Sequence, residues 1–126
     1  MRLESLVGGK ATIVGPEATL AEAAEHMVKT GVDSVAVVAE RSLVGILTEH
    51  DIVLAVADEA DLEEEPVSVW MTESPDTIGP NISVREAVAW LMQTGYRHLP
   101  VVDGSELLGI VSVRDLLWAL GPDEGA

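Results

Sequence analysis

Shifted against itself by 64 positions, the chain aligns residues 18–54 with 82–118 without a gap. Ten of the thirty-seven pairs are identical, from Glu22/Glu86 and Ala23/Ala87 through Gly31/Gly95 and Gly45/Gly109 to Asp51/Asp115. Unrelated stretches of ordinary composition share roughly two or three. About half of the other pairs exchange one apolar residue for another, and Pro16/Pro80 extends the match upstream. A repeat this regular restricts the chain to architectures built from two like units.

Each copy predicts the same elements. A short apolar stretch leads to Gly-Pro and then to Thr19 or Ser83, each followed three residues later by Glu22 or Glu86. That spacing predicts a capped helix start. The helix then carries one apolar stripe, Leu20, Ala23, Ala24, Met27 and Val28 in the first copy and Val84, Ala87, Val88, Leu91 and Met92 in the second. Gly31 and Gly95 stand where a helix ends. Two apolar runs follow, joined by the short links "ERS" and "DGSE", which predict hairpins. A second helix opens at Thr48 or Ser112. The expected class is α/β (α+β): two tandem β-α-β-β-α repeats related by a pseudo-twofold axis, their sheets packed together. Domain limits of 1–60 and 67–126 follow, with 61–66 as an acidic linker.

The 126 residues carry twenty-two carboxylates against seven Lys and Arg, a formal net charge of −15. Such a surface repels phosphate polymers and anionic headgroups, which argues against nucleic acid and membrane as partners. No cysteine is present, so neither a disulfide nor a thiolate metal site is expected. Glu4 and Gly8-Gly9 interrupt the N-terminus where a secretory leader needs an unbroken apolar core, and a cytoplasmic location is expected.

The pair "GILTEHD" and "GIVSVRD", Gly45–Asp51 and Gly109–Asp115, repeats a hydroxyl and an aspartate three residues apart. Thr48 and Ser112 sit where a strand gives way to a helix whose first turn presents N–H groups, a natural phosphate seat. Asp51 and Asp115 return to the same face, where a carboxylate accepts hydrogen bonds from vicinal ribose hydroxyls. The same spacing also describes an ordinary capping box, and both readings stand. Of five arginines, Arg97 and Arg114 fall inside the motifs, with His50 and His98 beside them, while His26 aligns with Trp90 on a helix as a structural residue. Where the second copy has Arg97, His98 and Pro100, the first has Asp33, Ser34 and Ala36.

The order of "VSVWMTESPDTI", "GYRHLPVVD" and the glycine–apolar–apolar–Thr/Ser–two residues–Asp ending, found in both copies, resembles the CBS domain pair, or Bateman module. The resemblance implies a regulatory module, not an enzyme, that binds an adenosine-containing ligand in clefts between its repeats and associates as disc-shaped dimers. It implies that Asp51 and Asp115 hold ribose and that Thr48 and Ser112 lie near phosphates. Arg97 and His98 match the basic pair that grips phosphates, with Asp51 sharing their cleft, and Arg114 adds charge beside Asp115. Apolar ligand contacts are expected from Ile13, Ile78, Val35, Leu99 and Pro100. No cofactor is required and no metal site or catalytic residue is expected; the regulatory ligand implied is AMP, ADP or ATP, with S-adenosylmethionine or an NAD-type compound as alternatives.

Two other classes compete. An enzyme would need a nucleophile with an adjacent base, a metal cluster or a glycine-rich phosphate loop, and the sequence has none of these. A structural dimerisation module without ligand is the second. In either non-catalytic case a homodimer is expected, through helix faces bearing Met27, Val28, Leu91, Met92, Trp90 and Trp118, together with a separate target protein.

Overall fold

The computed structural model describes residues 11–125. The stretch read for a leader, residues 1–10, and Ala126 lie outside them. The chain divides into two compact units, with the division between Pro75 and Asp76.

In the first unit, β1 (Ile13–Val14) leads to α1 (Leu20–Thr30), the hairpin β2 (Ser34–Ala39) and β3 (Ser42–Thr48), then α2 (Glu49–Ala57), the single turn α3 (Val67–Trp70) and β4 (Thr72–Glu73). The sheet order is β1-β2-β3-β4. β1 runs parallel to β2, while β2/β3 and β3/β4 are antiparallel. The second unit repeats the pattern with α4 (Val84–Thr94), β5 (His98–Asp103), β6 (Glu106–Ser112) and α5 (Val113–Gly125). Its counterpart of β1 is a single parallel bridge between Ile78 and Val101.

Local chemistry sets these boundaries. Thr19 and Ser83 adopt extended backbone and accept from the N–H of Glu22 and Glu86, both at 3.1 Å, which satisfies one of the donors a helix start leaves unpaired. Gly31 and Gly95 end α1 and α4 at φ 72° and 79°, a left-handed conformation that side chains resist. The hairpins carry the same irregularity at the same place, a register shift at Val37/Val38 and at Val101/Val102. The β2–β3 turn takes positive φ at both Glu40 and Arg41, 50° and 67°, the backbone of a tight hairpin turn usually given to Asn-Gly.

Each unit has its own core. Leu20, Ala23 and Met27 of α1 pack on Val35, Val37 and Leu47, and Val84, Ala87 and Leu91 of α4 pack on Leu99, Val101 and Val111. Each fully buried Leu or Val contributes about 1.5–3 kcal/mol relative to exposure. The helix stripes are narrower than the sequence predicts: Val28 and Met92 are 84% and 82% exposed, whereas Met27 and Leu91 are both 5% exposed and belong to the cores.

The acidic segment is no free linker. Leu62 and Ala60 pack on the first core. The N–H groups of Leu20 and Ala21 donate to the carbonyls of Glu65 and Leu62 at 3.0 and 2.9 Å. These bonds, with Thr19, satisfy the first turn of α1. Val67 is fully buried and donates its N–H to Ala18, and β4 closes the sheet edge beside β3. Charged side chains face water while the backbone and the apolar residues among them complete the first unit. The compact units thus divide at 75/76, because Leu62 and Val67 bury themselves in the first of them.

Gly45 is the closest approach in this arrangement. A Cβ placed there would stand 3.0 Å from the Thr72 carbonyl oxygen and nearer still to the Met71 side chain. Gly45→Ala is therefore expected to lower stability by about 1–3 kcal/mol through overpacking, measured by chemical denaturation. An unchanged midpoint would show that the 71–73 segment yields freely.

Candidate functional site

β3 passes into α2 and β6 into α5 with no intervening loop, so one residue closes a strand and caps a helix. At the first junction, Thr48 N–H donates to Asp51 Oδ2 at 2.8 Å, and the Thr48 hydroxyl lies 3.2 Å from the same oxygen. Asp51 N–H donates in return to Thr48 Oγ1 at 3.4 Å. At the second, Ser112 N–H donates to Asp115 Oδ2 at 2.9 Å and Asp115 N–H to Ser112 Oγ at 3.1 Å. Both pairs are reciprocal capping boxes. The box engages one oxygen of each carboxylate, Oδ2, and leaves Oδ1 outside it. An ionised carboxylate only accepts, so the group it suits there is a donor such as a hydroxyl. Asp51 is half-buried and Asp115 exposed.

The helix starts are less open than the sequence suggests. Glu49 N–H donates to the Asp33 carbonyl at 3.0 Å and Val113 N–H to the Arg97 carbonyl at 2.9 Å. With the capping bonds, two of the first three N–H groups of each helix are already used.

Strand register sorts the remaining expected residues. Residues directly opposite in an antiparallel pair share a face, and neighbours along a strand alternate. Ser34 lies opposite Thr48 and Ala36 opposite Ile46; His98 lies opposite Ser112 and Pro100 opposite Ile110. Ile13 pairs with Ala36 in β1–β2 and is 52% exposed. These residues occupy the sheet face that bears the caps. Val35 and Leu99 point the other way, fully buried in their cores. Ile78 pairs with Val101, the counterpart of Val37, and packs on the second core. It therefore matches Val14, not Ile13; the matching position on the cap face is Thr77. The correction is one residue of strand register. Ala36, Ile46 and Ile110 are the cap-face residues missed, and counting in twos from Thr48 through the turn would have found them.

In the second unit the structure brings together Arg97, His98, Ser112, Arg114 and Asp115 where the β5–β6 hairpin meets α5. The first unit places Asp33, Ser34, Thr48, His50 and Asp51 at the matching end. Arg97 and His50 are exposed and His98 half-buried. Among the described residues no group of three or more His, Asp or Glu is placed to hold a metal ion. No described helix is long and apolar enough to cross a membrane.

Two copies of one strand–helix–hairpin–helix unit, each ending in the same capped junction, define a tandem α/β repeat protein. The family model of the CBS domain matches residues 7–58 and 66–122. An uncharacterized 17.7 kDa protein of Acidianus ambivalens is 36% identical over 94% of this chain and 73% of its own length. The CBS domain-containing protein YhcV of Bacillus subtilis is 36% identical over 82% of this chain and 74% of its own. A CBS domain protein of Pyrobaculum aerophilum, solved in complex with AMP, superimposes with a TM-score of 0.88 at 27% identity, covering 99% of this chain and 98% of that one. The chain belongs to the CBS domain family and contains two copies of the domain.

The capping role is separable by mutation. Thr48→Ala removes the side-chain acceptor at α2 and is expected to cost about 1 kcal/mol, with Thr48→Ser close to the parent, in urea or thermal unfolding. Equal stability of all three would show that the junction does not depend on the hydroxyl.

Proposed function

We propose that the chain is a non-catalytic regulatory module that binds an adenosine-containing ligand, AMP, ADP or ATP before S-adenosylmethionine or an NAD-type compound, at its capped strand–helix junctions. One observation carries the reading: at both junctions the box takes up a single carboxylate oxygen and holds the other in a fixed orientation. A preset acceptor suits the vicinal hydroxyls of a ribose, because the helix cap has already fixed its rotamer. Arg97, His98 and Arg114 supply the positive charge that a phosphate needs in a chain this acidic. The AMP complex of the Pyrobaculum relative supports the choice of nucleotide. Ile13 and Ile110 are the cap-face residues with surface to offer the base, while Ala36 and Pro100 are fully buried beside them.

Titration calorimetry with AMP tests this. Arg97, Arg114 and Asp115 stand at one junction, and loss of a charge-assisted hydrogen bond is worth about 1.5–3 kcal/mol, so Asp115→Ala is expected to weaken AMP roughly ten- to hundredfold. Arg97→Ala weakens AMP similarly and adenosine much less. Loss in Asp51→Ala with none in Asp115→Ala would move the ribose to the first junction. Absence of any nucleotide binding by the parent would leave the junctions as caps alone and favour the structural dimerisation module.

The module reports its ligand by changing its contacts with a separate target protein, since binding shifts only equilibria whose states differ in affinity. It works in the cytoplasm as a homodimer. Val28 of the first unit and Met92 and Trp118 of the second are 84%, 82% and 86% exposed, and these apolar side chains are offered to the second copy. Met27 and Leu91 are excluded by their burial, and Trp90 is engaged with Tyr96, ring centroids 5.6 Å apart. Sedimentation at micromolar concentration is expected to show a dimer that Trp118→Glu and Val28→Glu dissociate; a monomeric parent protein overturns the assembly.

A further inference from the structure

The two junctions share a backbone frame but differ in charge. Asp33 and Arg97 occupy one position, since their carbonyls receive the first N–H of α2 and of α5 at 3.0 and 2.9 Å. Ser34 and His98 occupy the next, opposite Thr48 and Ser112. The first residues of the two helices are Glu49 and His50 in one unit, Val113 and Arg114 in the other. Around one frame, therefore, the first junction carries the carboxylates Asp33 and Glu49, and the second the guanidinium groups Arg97 and Arg114.

The difference extends over whole units. Residues 11–75 hold fourteen carboxylates against Lys29 and Arg41, while residues 76–126 hold seven against Arg85, Arg97 and Arg114. A dianionic phosphate approaching the first junction meets like charge at close range and from the unit as a whole.

Ser34, the one polar residue among the described buried residues at 7% exposed, stands opposite Thr48 on the cap face.

Building on the adenosine reading above, we propose that the two junctions sort adenosine compounds by the charge of the 5′ substituent. The second takes a 5′-phosphate. The first takes an adenosine compound whose 5′ substituent is neutral or cationic, with Asp33 and Glu49 as the specificity residues and Ser34 as a polar contact. One molecule then reads two ligand pools at once, since neither ligand fits the other's junction.

Calorimetric titration with AMP and with 5′-amino-5′-deoxyadenosine, singly and in competition, tests the proposal. Each is expected to bind with a stoichiometry of one, and saturation with the amine leaves AMP binding in place. The double variant Asp33→Asn/Glu49→Gln, which keeps shape and removes charge, is expected to weaken the amine about tenfold and to raise the AMP stoichiometry towards two. Two AMP sites of equal affinity in the parent, competition of both compounds for one site, or an unchanged amine affinity in the double variant overturns the sorting while leaving nucleotide binding intact. Failure of both compounds to bind overturns the adenosine reading and the sorting with it.

Discussion

The register of the β2–β3 hairpin is the constraint on which the rest of the first unit hangs. It sets Val35 and Val37 opposite Leu47 and Gly45, towards the helices, and Ser34 and Ala36 opposite Thr48 and Ile46, on the cap face. A slip of one residue would exchange the faces, exposing the apolar set and turning the cap inward. Two devices hold it, a turn with positive φ at Glu40 and Arg41 and a bulge at Val37/Val38. Because β3 runs directly into α2, the same register fixes where the helix begins and where its first-turn carboxylate stands. The β5–β6 hairpin carries its bulge and its capped helix at matching positions. The geometry of the junction is thus inherited from strand pairing and does not depend on a loop.

Much of this was legible in the residues. Thr19/Glu22 and Ser83/Glu86 marked helix starts, Gly31 and Gly95 their ends, and the 64-residue repeat tied the two halves together. These signals are local, each a residue type with one dominant use. The capped aspartates were found for the same reason. What escaped was the assignment of strand residues to faces. Val35, Leu99 and Ile78 are apolar and stand near the motifs, and apolar character alone does not distinguish a core-facing residue from one on the opposite face. Only the pairing partners do, and "TIV" against "TI" hides a one-residue offset that pairing resolves. The packing of the connector is hidden for a related reason: its charges speak for water, while its tertiary bonds to Leu20 and Ala21 leave no mark in composition.

Equal backbones with unequal side chains describe a division of labour within one chain. Duplication supplies the frame, and the frame needs only the hydroxyl, the aspartate and the buried glycine to persist. The positions beside them, at 33, 34, 49 and 50 and at 97, 98, 113 and 114, carry no such obligation. They are where the halves have diverged in charge. The capped frame and the charge around it therefore rest on different residues of the same turn.

The bonds from Leu62 and Glu65 to the start of α1 put the repeat seen in the sequence out of phase with the unit that folds. A cut between the two sequence copies would leave α1 with two unpaired N–H groups and β3 with an open edge, whereas a cut after Pro75 preserves both. Shuffling of such domains among larger proteins is thereby biased: a lineage that exchanges the first unit has to carry the acidic stretch and the Val67–Glu73 segment along with it. That stretch then travels as an inherited part of the fold, even where its charges serve no purpose in the new host.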